Sequence, residues 1–236
     1  MRFSDAVVIV AGGTGGLGAA VSEAFVREGA RVVATYRTAE EYRRLAQQLQ
    51  GAERLSGESV DVTDEAATRQ FFERTLARYS RVDALVNTVG GYVGGRKLWE
   101  LEPEVLTRMF TLNVNPFHSL VRAALPTFLE RRRGALVNVA AKAALDHPAG
   151  ASAYAAAKAA ALALTDSLAA ELHGTGVRVN CILPSVIDTP ANRQAMPKAN
   201  FAQWPKPADI AEVILFLCSD AARVVHGAAI PVYGNG

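Results

Sequence analysis

The chain has 236 residues, half of them hydrophobic, and a formal net charge of +2 spread along its length. That size suits one sizeable core, and with no Pro- or Ser-rich linker, long charge block or extended apolar run, the sequence argues against a nucleic-acid tail, a membrane span and a tethered second domain. Two cysteines in apolar runs, Cys181 and Cys218, and four scattered histidines form no disulfide framework and no metal-ligand cluster, so no metal is expected. The first residues enter a strand-like stretch at once, which leaves no room for a signal peptide and makes the cytoplasm the expected location.

Ala6 to Ala11 reads as a buried strand that runs into Gly12-Gly13-Thr14-Gly15-Gly16-Leu17-Gly18. Leu17, Ala20, Val21, Ala24 and Phe25 then recur at helical spacing up to Gly29. The pattern repeats as strand 31–36, helix 39–49, strand 58–62, helix 65–79 and strand 83–87. A long helical pattern covers Pro103 to Arg132, and its basic end, Arg131-Arg132-Arg133 before Gly134, reads as a solvated helix terminus. Strand 135–139, a helix through Tyr154 to about Leu172, strand 177–183, helix 208–217 and strand 228–232 complete the chain. Such alternation predicts an α/β, single-domain Rossmann fold over 1–236, with a seven-stranded parallel sheet and helices on both faces. Ligands of that fold bind beyond the carboxyl ends of the strands.

The glycine turn follows a strand and opens a helix, as a dinucleotide site requires. Glycines let the backbone approach a pyrophosphate, whose charge meets the free N–H groups at the helix N-terminus. Where the second strand ends, the chain reads Ala34-Thr35-Tyr36-Arg37-Thr38, with no acid for a ribose 2′-hydroxyl. Arg37 suits a 2′-phosphate, which makes NADP(H) the expected cofactor over NAD(H); the other reading of Arg37 is a surface loop residue. Thr14 and Thr38 are further candidates for a hydroxyl contact.

Tyr154 and Lys158 stand four positions apart in an alanine-rich helical stretch. An ammonium on the same helix face favours phenolate, so the pair reads as a proton donor and acceptor beside a hydride carrier. Asn113 shares a helical stripe with Leu106, Phe110, Phe117 and Leu120, which predicts a buried amide that must find partners. Pro116 cannot donate to the Leu112 carbonyl, which predicts a kink beside it.

Taken together, these residues resemble the short-chain dehydrogenase/reductase family over nearly the whole chain. Gly12, Gly16, Leu17 and Gly18 fall in its glycine turn, although Ala11 stands where threonine is common. Asp61-Val62 is similar to its adenine-contacting pair, and Asn87-Thr88-Val89-Gly90 resembles its Asn-Asn-Ala-Gly motif, keeping Asn87 and Gly90. The resemblance implies catalytic roles for Tyr154, Lys158 and Asn113, and nicotinamide contacts from Pro184, Ile187 and Thr189. It also implies a serine about thirteen positions before the tyrosine, where this chain has Ala141. A simple ketone reductase loses much by that change, since one missing oxyanion donor costs roughly a hundred- to a thousandfold in rate.

One branch of the family, the quinonoid dihydropteridine reductases, tolerates that loss. Ala141 to Asp146, Gly90 to Gly95, and the stretch from Leu183 through Met196-Pro197, Phe201 and Trp204 resemble it locally. The reading is therefore NADP(H)-dependent hydride transfer to a small molecule such as a quinonoid dihydropterin. The alternatives are a carbonyl or 3-oxoacyl-thioester reductase of the same family and a catalytically silent NADP(H)-binding regulator. Residues 190–207 read as a substrate lid, with Trp204 either stacking on a flat substrate or packing the last helix. No nucleic-acid or membrane partner is expected, and the alanine-rich Tyr154 helix and the Asn113 helix suggest a homodimer or homotetramer.

Overall fold

The strands of the sheet are β1 (Val7–Ala11), β2 (Arg31–Tyr36), β3 (Leu55–Ser59), β4 (Ala84–Asn87), β5 (Gly134–Val139), β6 (Val177–Pro184) and β7 (Ala229–Val232). In the computed structural model, which describes residues 2–235, they pair in parallel in the order β3-β2-β1-β4-β5-β6-β7. The helices are α1 (Gly16–Arg27), α2 (Ala39–Gln48), α3 (Glu65–Tyr79), α4 (Pro103–Asn113), α5 (Asn115–Arg131), α6 (Ala143–Asp146), α7 (Ser152–Glu171), α8 (Pro190–Ala195) and α9 (Pro207–Cys218). The strand order reverses between β1 and β4, the switch point beyond which ligands of such sheets bind.

Strand side chains alternate between faces, so one apolar run feeds two cores. Val8, Val10, Val32, Val86 and Ile182 face the layer that holds α1 and α9. Ile9, Leu85, Leu136 and Val179 face Phe71, Phe117 and Phe128 of α3 and α5. A doubly wound single domain with seven parallel strands is therefore what the alternation predicted.

Four local expectations change. The third strand lies at Leu55–Ser59 rather than 58–62, because this edge strand buries only Leu55 and gives a weak apolar signal. The long helix is two helices: the chain breaks at Val114, and Pro116, which has no N–H for the Leu112 carbonyl, restarts it in the first turn of α5. Asn113 is buried as expected, yet Leu106 and Phe110 of its stripe turn outward, 43% and 37% exposed.

The basic run is not solvated throughout. Arg131 donates to the Val82 carbonyl at 2.7 Å and to Asp83 at 3.1 Å, and Arg133 meets Asp220 at 3.3 Å. Asp83 also accepts from the Val7 N–H at 2.9 Å and from Arg81 at 2.6 and 2.8 Å, tying the starts of β1 and β4 to the end of α5. Burial alone raises this carboxyl's pKa, but the bonds from Arg81, Val7 and Arg131 outweigh it and hold it below the usual carboxylate range. A folded pKa below the unfolded one gives stability that is present above about pH 4 and lost as pH falls through the folded value. Asp83→Asn is expected to cost about 1–2 kcal/mol at pH 7, with the gap to the parent narrowing in acid. Urea denaturation at pH 7 and pH 3 checks this, and an equal gap at both would refute it.

Candidate functional site

Beyond the carboxyl ends of β1 and β4, the glycine turn is fixed by the backbone. Gly12 takes a left-handed φ of 72° and donates its N–H to Thr35 Oγ1 at 2.9 Å. Gly18 lies so close to the Gly12 carbonyl that no Cβ fits between them. Thr88 Oγ1 donates to the Ala11 carbonyl at 2.7 Å, holding the loop after β4 beside the turn. Leu17 is buried, and the first turn of α1 has neither a side-chain cap nor an acidic residue. Its N–H groups and positive dipole end are therefore left for an anion, and the residues fit a pyrophosphate. A Cβ on Gly16 would come within 2.8 Å of the Thr189 methyl, so the segment after β6 meets the turn at its own level.

At the rim, Arg37 is exposed just past β2. A carboxylate that strand-end reading overlooked returns from α2: Glu41 Oε2 accepts from Thr14 Oγ1 at 3.3 Å, and its own N–H is capped by Thr38 Oγ1 at 3.4 Å. A carboxylate thus reaches the glycine turn from the first turn of α2, an offset that strand-end spacing does not reveal. Asp61 is exposed past β3 and spends Oδ1 on the Thr63 N–H at 2.9 Å and hydroxyl at 2.7 Å, while Val62 is buried.

The polar centre lies where β4, β5, α4 and α7 converge. Lys158 is buried, and its Nζ donates to the Val139 carbonyl at 2.9 Å. A Cβ on Gly90 would stand 3.1 Å from that Nζ and 2.9 Å from Asn113 Oδ1, so glycine is what lets the loop pass between them. Asn113 Nδ2 donates to the carbonyls of Gly91 at 3.0 Å and Met109 at 2.9 Å, and Oδ1 accepts from Gly91 N at 3.2 Å. Its amide is a clamp on the loop, which leaves the side chain little capacity to order water. Asn87 is buried beneath the site: it donates to Asn138 Oδ1 at 3.0 Å, and Asn138 donates to Thr165 Oγ1 at 3.0 Å.

Tyr154 does not have the lowered pKa that its spacing suggested. Burial pushes the phenol up to about 12, with Tyr92 adding to the effect, and burial pushes the Lys158 amine down to about 8. The Lys158 Nζ sits 5.9 Å from the Tyr154 ring centroid and bonds to the backbone instead, so desolvation governs both groups. Tyr92 meets Tyr154 edge to face at 5.0 Å between centroids.

After β5 come Ala140 and Ala141, both buried, and then Lys142. Ser152 begins α7, and its buried Oγ has no hydrogen-bond partner among the described residues. Pro184 ends β6, with Ile187 and Thr189 following and Thr189 Oγ1 capping α8 through Asn192 N at 3.2 Å. Asp188 pairs with Arg193 at 2.5 and 2.8 Å, Arg193 covers Phe201 at 4.9 Å, and Phe201 touches Trp204 at 4.9 Å. Residues 188–204 thus close on themselves, and Trp204 packs within the segment. A cavity of about 480 Å3 lies at the opposite end of the sheet, where Arg81 and Arg133 are paired to Asp83 and Asp220, apart from the groups above. No group of three metal-binding side chains occurs among the described residues, and none of the described helices is long and apolar enough to cross a membrane.

The Lys158 shift has a sign that denaturation reads. Between about pH 8 and its ordinary value of 10.5, the unfolded chain keeps a proton that the folded chain has lost, so stability rises with pH across that window. Lys158→Met is expected to exceed the parent's stability at pH 7 by up to about 3 kcal/mol, an advantage that shrinks towards pH 10. Above pH 10, Tyr154 acts in the opposite sense, because the unfolded phenol ionises first. Urea midpoints for both chains at pH 7 and 9.5 check the trend; parallel curves would contradict it.

The profile described as short chain dehydrogenase matches residues 6–200. The 3-oxoacyl-(acyl-carrier-protein) reductase FabG of Thermotoga maritima is 29% identical over 244 residues, covering 100% of this chain and 99% of that protein. Meso-2,3-butanediol dehydrogenase of Serratia marcescens is 31% identical, covering 100% and 96%, and D-threitol dehydrogenase of Mycolicibacterium smegmatis 33%, covering 99% and 94%. A short-chain type dehydrogenase/reductase from Mycobacterium ulcerans superposes with a TM-score of 0.93 at 27% identity, over 100% of this chain and 90% of that one. The fold is shared by ElxO, solved with NADP bound, at a TM-score of 0.92 and 23% identity over 98% of each chain. The chain therefore belongs to the short-chain dehydrogenase/reductase family and is a nicotinamide-dependent oxidoreductase.

Proposed function

We propose that the protein is an NADP(H)-dependent reductase of a carbonyl compound, a small ketone or a 3-oxoacyl thioester. The observation that carries this reading is the convergence of Tyr154, Lys158 and Gly90 beside the open glycine turn. Its full-length similarity to a 3-oxoacyl reductase and to diol dehydrogenases supports carbonyl or hydroxyl substrates.

When bound, the nicotinamide supplies the hydride. Gly12, Thr14, Gly16, Leu17 and Gly18 hold the pyrophosphate, Arg37 the 2′-phosphate, and Asp61 and Val62 the adenine. Asn87 and Gly90 shape the floor, and Pro184, Ile187 and Thr189 meet the nicotinamide side. Tyr154 gives its proton to the carbonyl oxygen as the carbon is reduced, and a phenol with a raised pKa is fully protonated for that step at neutral pH. Lys158 holds the ribose with the Nζ donors that Val139 leaves free. Asn113 positions both by clamping the Gly90–Gly91 loop. Residues 190–207 serve as the substrate lid, and the outward apolar residues Leu106 and Phe110 of α4 suit a homodimer or homotetramer face in a cytoplasmic, single-domain enzyme.

A second reading, a quinonoid dihydropterin substrate, is favoured by one observation. No hydroxyl stands at residues 140–142, and an imine-like acceptor forms no alkoxide for it to hold.

NADPH oxidation with a 3-oxoacyl thioester, small diketones and quinonoid dihydropterin separates the two. Carbonyl turnover that drops roughly a hundred- to ten-thousandfold in Tyr154→Phe is expected. Turnover of the pterin alone would replace the first reading by the second. In the same assay, Arg37→Ala is expected to raise the KM for NADPH at least about tenfold and leave that for NADH unchanged, since only a 2′-phosphate loses a charge-assisted contact. Equal effects on both cofactors would remove Arg37 and leave Glu41 as the residue that faces the ribose.

A further inference from the structure

Carbonyl reduction benefits from two donors at the substrate oxygen, one that gives up its proton and one that holds the developing charge. On the proposed reading Tyr154 is the first, and residues 140–142 offer no side-chain hydroxyl for the second. Two of the other hydroxyls around the carboxyl ends of the strands already donate their protons to the backbone, and two are held in helix starts. Thr88 Oγ1 donates to the carbonyls of Ala11 and Gly12 and Ser185 Oγ to the Tyr233 carbonyl at 2.8 Å, while Thr189 Oγ1 caps α8 by accepting from Asn192 N. Ser152 Oγ is buried in the first turn of α7.

Tyr92 differs from all of these. It is 64% exposed, its hydroxyl makes no hydrogen bond among the described residues, and its ring packs edge to face on Tyr154 at 5.0 Å. The loop that carries it is pinned on both sides: Gly91 by Asn113, and Gly95, at a φ of 91°, by its N–H to the Gly150 carbonyl at 2.8 Å. Between these anchors the Tyr92 phenol lies back over Gly94, where any Cβ would overlap its hydroxyl. Two phenols in contact, one half-buried and one largely exposed, can bracket a single small oxygen-bearing group.

We infer that the Tyr92 hydroxyl donates the second hydrogen bond to the substrate's carbonyl oxygen, in place of a hydroxyl at position 141. This rests on the carbonyl reading. Tyr92 keeps its own proton: the carbon gains the hydride, the oxygen gains the Tyr154 proton, and Tyr92 holds the oxygen while its charge develops. Gly91, Gly94 and Gly95 are then the conformational conditions for a tyrosine in this loop to turn over the site.

The experiment is a cycle of Tyr92→Phe, Ala141→Ser and the double variant, read as kcat and KM for a 3-oxoacyl thioester and as NADPH binding by fluorescence. Phenylalanine keeps the ring contact with Tyr154. The expected result is a fall in kcat of roughly ten- to a thousandfold in Tyr92→Phe, with NADPH binding unchanged. Ala141→Ser adds little to the parent and restores at least about tenfold to Tyr92→Phe, because the new hydroxyl takes over the lost bond. Parental turnover by Tyr92→Phe overturns the inference and leaves the carbonyl reading intact. A fall that Ala141→Ser fails to relieve, or an equal gain from serine in both backgrounds, overturns it as well. A parent that binds NADPH and reduces no carbonyl refutes the functional reading, and this role for Tyr92 with it.

Discussion

A charged amine held almost out of water at the end of β5 is the constraint around which the site is arranged. Lys158 is 4% exposed, and its recorded hydrogen bond goes to the Val139 carbonyl. An ammonium has three donors, so this environment underserves it, which is the physical reason that burial drags its pKa down. Several otherwise unrelated features follow from keeping that group accessible to a ligand. Position 90 must lack a side chain, since a Cβ would press on both the amine and Asn113 Oδ1. The loop that passes there needs its own anchor, which Asn113 provides through three bonds to Gly91 and Met109. Asn113 is available for this because the helix breaks one residue later, where Pro116 removes a donor.

Beneath that centre, the sheet carries an internal polar chain. Asn138 Oδ1 receives both Asn87 Nδ2 and the Val139 N–H, and its own amide reaches Thr165 on α7. A parallel strand pair has no side-chain register signal of its own when both faces are apolar, and these amides supply one. Each member has its partners, so the network fixes the ends of β4 and β5 and the height of α7 together. The loops that leave those ends carry Gly90, Tyr92 and Ala141, and α7 carries Tyr154 and Lys158. Their mutual placement is therefore decided in the interior.

The regular parts of the chain were legible because their causes are local. Buried parallel strands announce themselves as apolar runs, and the glycine turn as a run of residues that tolerate close backbone contact. β3 was displaced in the reading because an edge strand with a single buried residue, Leu55, has little to announce. The approach of Glu41 to Thr14 was invisible because it depends on how far α2 swings back over β2, a tertiary quantity. The expected coupling of Lys158 to Tyr154 failed for a similar reason. Spacing places two residues on one helix face, but Val139, five strands from the chain's start, decides where the ammonium points. The role of the Gly90–Gly95 loop also needed coordinates, since nothing in its sequence says that its tyrosine meets Tyr154.

The raised phenol pKa bears on how a carbonyl substrate receives its proton. A phenol pushed up to about 12 is protonated at neutral pH, ready to donate. Carbonyl reduction delivers the proton to an oxygen becoming alkoxide, which is more basic than any phenolate, so the transfer runs downhill from the protonated state already in place. What reduction does require is that the oxygen be held while charge accumulates, before the proton moves. A half-buried, protonated Tyr154 without a second donor serves that requirement poorly, and the exposed Tyr92 phenol against its ring is the group proposed to meet it.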